Sequence, residues 1–178
     1  SLFEWEGAKI REIFSREFPC PVLVFDKVVA IAFGEGILFS EGPQVNLVYL
    51  HLGRGVGAGL LLNGKIYRGS RGAAGEVGYM VCGSGSENGS VSLHEIPPLE
   101  SKISLNSILR VLQERCPDYL PSNQIQSENN QISALQESFL KGDKQCQTIL
   151  KPIFEKAEEI AVNLVAVLNP DLLVLGGK

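Results

Sequence analysis

Residues 45–67 read VNLVYLHLGRGVGAGLLLNGKIY. Three strands are legible in this stretch. Val45 to Leu52 alternates and then runs apolar, Val56 to Leu62 is apolar and small, and Lys65 to Tyr67 is a short third run. Asn63-Gly64 joins the last two runs. That pair is a strong signal for a type I′ hairpin turn, whose two central residues both need positive φ. The first junction, Gly53-Arg54-Gly55-Val56-Gly57, is a strand-turn-strand corner. Glycines there let backbone N–H groups approach phosphate or sugar oxygens. No helical pattern follows the corner, so it is not a dinucleotide-binding fingerprint.

Working outward toward the C-terminus, glycines recur at positions 69, 72, 75 and 78. Such density marks turns or a close approach of backbone to a ligand. Residues 82–98 are Gly/Ser-rich and irregular, and close with Pro97-Pro98. A helix is predicted over 100–115, then a polar stretch with Pro117, Pro121, Asn123 and Asn129, then a short helix from Ile132 to Leu140 that Gly142 ends. A long helix is predicted from Asp143 to about Leu168, with Pro152 kinking or restarting it. Asn169-Pro170 stops it, and Leu172 to Leu175 reads as a buried strand. Toward the N-terminus, residues 5–18 carry apolar residues at three- and four-residue steps, including Trp5, Ile10, Ile13, Phe14 and Phe18. Pro19 and Pro21 end that helix. Val22 to Phe25 suits a buried strand, residues 27–35 a helix, and Ser40, Gly42 and Pro43 a loop. Strands early, helices later and a last strand after a long helix indicate an α/β domain, a mixed β-sheet with helices packed on its faces.

The chain has 178 residues, 44% of them hydrophobic and 20% charged, with a formal charge of −4. That suits one domain, or one and a fraction, able to bury a core without disulfides. The composition excludes a disordered chain, and the weak acidity gives no support for broad nucleic-acid or anionic-membrane binding. No apolar run reaches the roughly 18 residues that span a bilayer, and the first residues have no basic signal-peptide region. Cys20, Cys82, Cys116 and Cys146 are widely spaced, as reduced thiols of a cytoplasmic protein would be. A start at Ser1 and an end at Lys178 just after an apolar run suggest an excised domain.

Together with Arg68-Gly-Ser-Arg-Gly-Ala-Ala-Gly-Glu-Val-Gly78, the run from Val45 to Met80 resembles the signature of the ROK family, which joins bacterial sugar kinases to sugar-responsive repressors. The resemblance extends further. Trp5 matches a Trp that often precedes a helix, Val24 to Glu35 the segment ending in Ala-x-Gly-Glu, Leu99-Glu100 with Ser104 the opening of the next helix, and Asn169-Pro170 to Gly177 a late strand. The implied fold is a ribonuclease H-like (actin-like ATPase and sugar kinase) lobe. Residues 1–178 would be the larger, C-terminal lobe of such a protein, with a smaller lobe before Ser1 and a last helical portion after Lys178.

The resemblance also exposes departures. Kinases of the family carry an Asn-Asp pair whose Asp deprotonates the sugar hydroxyl. An ungapped match sets Asp26 on the Asn, Lys27 on the Asp and Val29 on the next sugar-contacting Asn. A charged lysine cannot accept a proton, so no catalytic base is expected. A one-residue shift would set Asp26 on the catalytic Asp but break the register at Gly34-Glu35. The Gly-Thr-Gly of the kinase phosphate hairpin is here Gly53-Arg54-Gly55, and the far larger Arg could fill a nucleotide cleft. The family's zinc ligands fall on Tyr79, Val91, Leu93 and Pro98, none of which binds zinc, and Cys82 with His94 leaves too few ligands for a structural site. No metal and no cofactor are expected.

The resemblance implies sugar contacts from Glu76 and Glu100, since a carboxylate accepts two hydrogen bonds from a diol. Asp26, Lys27 and Tyr79 join them as candidate sugar-binding residues. A more ordinary reading has Glu76 pair with Lys27 or cap a turn. Gly53, Arg54, Gly55, Gly57, Gly176 and Gly177 are candidates for a vestigial phosphate loop. Lys27 and Arg54 put positive charge in a cleft that is acidic or neutral elsewhere in the family. Either Lys27 neutralises Glu76 and Glu100 internally, or the cleft favours an anionic ligand such as a sugar phosphate or sugar acid. The expected function is a non-catalytic, sugar-effector-sensing and dimerising domain of a ROK-type transcriptional regulator. It would be cytoplasmic, off the membrane, a homodimer, and in contact with DNA only through an upstream helix-turn-helix. A degenerate interaction scaffold and an active ATP-dependent sugar kinase are the alternatives.

Overall fold

The computed structural model describes residues 7–39, 44–81, 99–115 and 128–177. Its centre is a four-stranded sheet. Strands β1 (Leu47–Leu52), β2 (Val56–Leu62), β3 (Lys65–Ile66) and β4 (Leu172–Gly177) lie in the order β3-β2-β1-β4. β1 pairs antiparallel with β2, β2 antiparallel with β3, and β1 parallel with β4. Asn63 and Gly64 have φ of 51° and 71°, so the predicted hairpin turn forms where the Asn-Gly pair allows it.

Successive side chains of a strand point to opposite faces, and β1 uses both. Leu47 and Tyr49 join Leu61 under helix α2 (Lys27–Phe39), whose Ala32 is fully buried there. Val48 and Leu50 face the other way. They pack with Val56, Ala58 and Leu60 against Ile103 of α3 (Glu100–Ile103) and Ile160 and Leu164 of α6 (Lys144–Leu168). α2 lies close to the sheet because small residues meet at the crossing. A Cβ on Gly59 would stand 2.4 Å from the Ala32 Cβ and 2.6 Å from the Val28 carbonyl oxygen. Helices α4 (Leu105–Arg115) and α5 (Glu128–Leu140) build a second layer on α6 around Leu105, Leu109, Leu112, Leu135, Cys146 and Leu150.

Several expectations change. The helix predicted over 100–115 is two, because Ser104 is extended (ψ 155°) and the Leu105 N–H donates to the Gly53 carbonyl at 2.8 Å. Of the two outcomes expected at Pro152, a kink or a restart, the restart is excluded, since the helix is continuous from Lys144 to Leu168. Val22 to Phe25 is not a buried strand: it has no ladder partner among the described residues, and Leu23, Val24 and Phe25 are exposed. A strand needs a second chain segment to complete its hydrogen bonds, and both neighbours of each central strand are already taken. Helix α1 (Ile10–Glu17), shorter than predicted, precedes it and buries none of its residues. Trp5, the loop at Ser40, Gly42 and Pro43, the stretch 82–98, the segment from Cys116 to Asn123, and Lys178 lie outside the described residues. No helix among the described residues is long and apolar enough to cross a membrane.

Candidate functional site

The site gathers at the end of β1, where the Gly53–Gly57 corner meets the start of α2. His51 continues the Leu47/Tyr49 face of β1 and so emerges beneath the first turn of α2. Asp26 caps that turn: its Oδ1 accepts the N–H groups of Val28 at 2.8 Å and Val29 at 3.4 Å. The cap fixes the next side chain, Lys27, over the strand end. The Lys27 Nζ lies 3.2 Å from His51 Nε2, and His51 Nδ1 lies 3.3 Å from the Tyr49 hydroxyl. An ammonium can only donate, so Nε2 is the acceptor and the neutral ring carries its proton on Nδ1, which donates to Tyr49. Burial pushes the His51 imidazole below its ordinary value. The Lys27 charge adds to that and Asp26 opposes it. Burial, with Glu35 nearby, pushes the Tyr49 phenol up.

Lys27, His51 and Gly55 stand between two cavities. The first, of about 270 Å³, is lined by Asp26, Glu76 and Glu100 together with Gly57 and Gly75. The second, of about 450 Å³, is lined by Tyr49, Gly53, Arg54, Leu105, Ile132 and Gly177. The structure therefore brings Asp26, Lys27, Glu76 and Glu100 around one space. Tyr79 lines neither cavity, and its side chain is 74% exposed at the end of a 3-10 turn, Val77–Tyr79. Gly53, Arg54, Gly55 and Gly177 belong to the second cavity and Gly57 to the first. Gly176 lines neither; it makes room for Tyr49, whose hydroxyl would be 2.3 Å from a Cβ there.

Each carboxylate has a distinct local role. Glu100 Oε2 accepts the Val56 N–H at 2.9 Å and so ties α3 to the hairpin corner. Glu76 does neither of the ordinary jobs its sequence position suggests. It makes no side-chain cap on the 3-10 turn, and Lys27 is bonded to His51 instead. Gly75, with φ of 92°, sets Glu76 at the rim by pressing its backbone on β2, where its carbonyl accepts the Ala58 N–H at 2.7 Å. Of the positions matching the family's zinc ligands, Val91, Leu93 and Pro98 lie outside the described residues, as do Cys82 and His94. Cys20 is exposed and Cys146 buried, and neither is in a disulfide.

His51 is the site residue that sequence reasoning missed. The signal was present: a lone histidine at the end of an otherwise apolar strand, beside a glycine corner. Its significance needed the strand's facing and the place of α2.

The family model described as "ROK family" matches residues 2–178. A xylose repressor from Caldicellulosiruptor bescii is 29% identical over 178 residues, which cover 98% of this chain and 44% of that protein. The chain thus spans less than half the length of that relative. A solved ROK family transcriptional regulator, described as a homologue of the E. coli MLC protein, superposes with a TM-score of 0.74 at 21% identity over 94% of this chain and 42% of that one. A ROK hexokinase from Thermus thermophilus gives a TM-score of 0.71 at 22% identity over 97% of this chain and 55% of that one. These likenesses give the fold, the α/β ribonuclease H-like architecture of the actin-like sugar kinases. Regulators and kinases both stand among the relatives. With its glycine corner, its paired carboxylates and its sheet order accounted for, the chain belongs to the ROK family.

Proposed function

We propose that this chain is the sugar-effector-sensing lobe of a ROK transcriptional regulator and catalyses no phosphoryl transfer. One observation carries the reading. The Lys27 amine, which the ungapped match sets where a sugar kinase needs a proton acceptor, is bonded to His51. Asp26 is engaged in capping α2, its Oδ1 accepting two of the helix's amides. The xylose repressor relative supports a regulatory role. In this reading a sugar lies in the cavity of Asp26, Glu76 and Glu100, where the carboxylates accept its hydroxyl protons. Homodimerisation follows from the same reading, since a regulator of two-fold operators needs two-fold symmetry. DNA contact would belong to an upstream helix-turn-helix outside this sequence.

The test uses the full-length protein. Incubation with ATP and a panel of pentoses and hexoses should release no ADP above background, while at least one sugar should raise the melting temperature. Turnover that Asp26→Asn abolishes would establish the kinase alternative, for which the place of Asp26 on the cavity wall is the specific support. A silent panel in both assays would establish the scaffold reading.

A further inference from the structure

We infer, building on the sugar-sensing reading of this cleft, that its ligand is an anionic carbohydrate whose carboxylate or phosphate sits on the Lys27 amine, with its hydroxyls toward Glu76 and Glu100. The two cavities differ in charge. The smaller holds three carboxylates: Asp26, Glu76 and Glu100. The larger holds no carboxylate among its described lining residues, and both Lys27 and Arg54 face it. Lys27 stands on the boundary and lines both.

The pairing of Lys27 points the same way. Three carboxylates border the adjoining space, yet among the described residues its amine forms no ion pair with any of them. It donates to a neutral imidazole instead. A cation bonded to a neutral acceptor keeps its charge available to a third group, whereas an ion pair would spend it. Of the two alternatives open in the sequence, internal neutralisation and an anionic ligand, this arrangement favours the second. His51 also fixes where the ammonium points. The chain His51–Tyr49 is anchored on a buried phenol, with Tyr49 only 5% exposed. A ligand oxygen arriving at Lys27 therefore meets an amine already held in place, which lowers the ordering cost of the contact. The larger cavity is of a size suited to small-molecule ligands, and its glycine-lined wall leaves room for a bulky ionised group.

The ligand recognised on these grounds has a hydroxyl-rich end and a charged end, and two chemistries supply it: a uronic or aldonic acid, and a sugar phosphate. Isothermal titration of the full-length protein decides between them. The titrants are xylose, glucose and galactose, each with its acid and its terminal phosphate, and inorganic phosphate as the anion without the sugar. One charged form should bind about tenfold tighter than its neutral parent, the size expected of one charge-assisted hydrogen bond. The acid or the phosphate that shows this margin names the source of the charge. Lys27→Met should erase the margin, so that charged and neutral forms bind alike, and Lys27→Arg should keep most of the margin. Circular dichroism of both variants guards against misfolding. Neutral sugars binding as tightly as charged ones would overturn the inference and leave sugar sensing standing. So would a margin that survives Lys27→Met. Binding of inorganic phosphate alone, without any charged sugar, would also overturn it, and a panel silent throughout would remove both readings.

Discussion

At position 51, one residue before β1 ends in Leu52, a strand of leucines, a valine and a tyrosine carries a histidine, and its ring titrates in an unusual setting. Its pKa in the folded chain lies below the ordinary value, through burial first and the Lys27 charge second. The unfolded chain, with an ordinary histidine near about 6.5, binds more protons than the folded one in the window below that value. Stability therefore rises with pH through this window. The contribution is present in full above about 6.5 and is lost as pH falls through the lowered folded value. Thermal melts between about pH 5 and 7.5 should show a steeper acid loss for the native protein than for His51→Gln; equal slopes would remove His51 from this role. Lys27 drew attention from sequence through an ungapped register with Gly34-Glu35. His51 did not, since its partner Lys27 comes from a helix that begins 24 residues earlier. Gly59 is a second residue whose meaning is spatial. Its alanine variant would drive a methyl group into Ala32 and the Val28 carbonyl, and should cost about 1–3 kcal/mol in denaturant unfolding. A neutral result would mean that α2 can ride outward from the sheet.

Among the elements, those whose signal is local were readable and those set by distant partners were not. The β2–β3 hairpin was readable because Asn63 and Gly64 both supply positive φ whatever surrounds them. The start of α6 was equally local. Asp143 caps it by accepting the Cys146 N–H at 2.9 Å, and Asn169 closes it in a left-handed conformation. Asp143→Ala should lower stability by about 1 kcal/mol, with Asp143→Ser recovering most of it in the same chemical-denaturation assay. No loss in the alanine variant would show that packing alone sets the start of the helix. The break at Ser104 was not readable, since apolar residues recur at helical spacing across it. It exists because the Leu105 amide is claimed by Gly53 of the hairpin, while the Ser104 and Ser107 hydroxyls lie 3.1 Å apart at the new helix start. That hydrogen bond carries Leu105 into the wall of the larger cavity. The apolar run at Val22–Phe25 looked like a strand on composition, but a ladder depends on a partner that composition cannot supply. In its place Phe25 takes the Arg68 guanidinium over its ring at 4.9 Å.

Among the described residues, three apolar clusters share two walls. The sheet divides the cluster under α2 from the one under α3 and α6, and α6 divides the latter from the cluster of α4 and α5. Ile153 packs against both clusters that α6 separates. Apart from the Leu105–Gly53 hydrogen bond and its continuity with α3, the α4–α5 layer is attached to the sheet through α6, whereas β1 is clamped between two cores. Layers joined through a single wall open separately at lower cost than the whole. Both cavities meet at the end of β1, and the larger one also takes Leu105 from α4 and Ile132 from α5. Its shape thus depends on the layer with the weaker attachment, which is where a ligand-responsive element is expected. Leu112 is fully buried in that layer, and Leu112→Ala should cost about 2–5 kcal/mol locally. In hydrogen exchange on the full-length protein, the variant should speed the amides of α4 and α5 and leave those of β1 near their native rates. Leu50→Ala, which empties the cluster between β1 and α6, should speed both sets. Uniform acceleration in Leu112→Ala would mean that the layers unfold as one unit and that the larger cavity cannot open by itself.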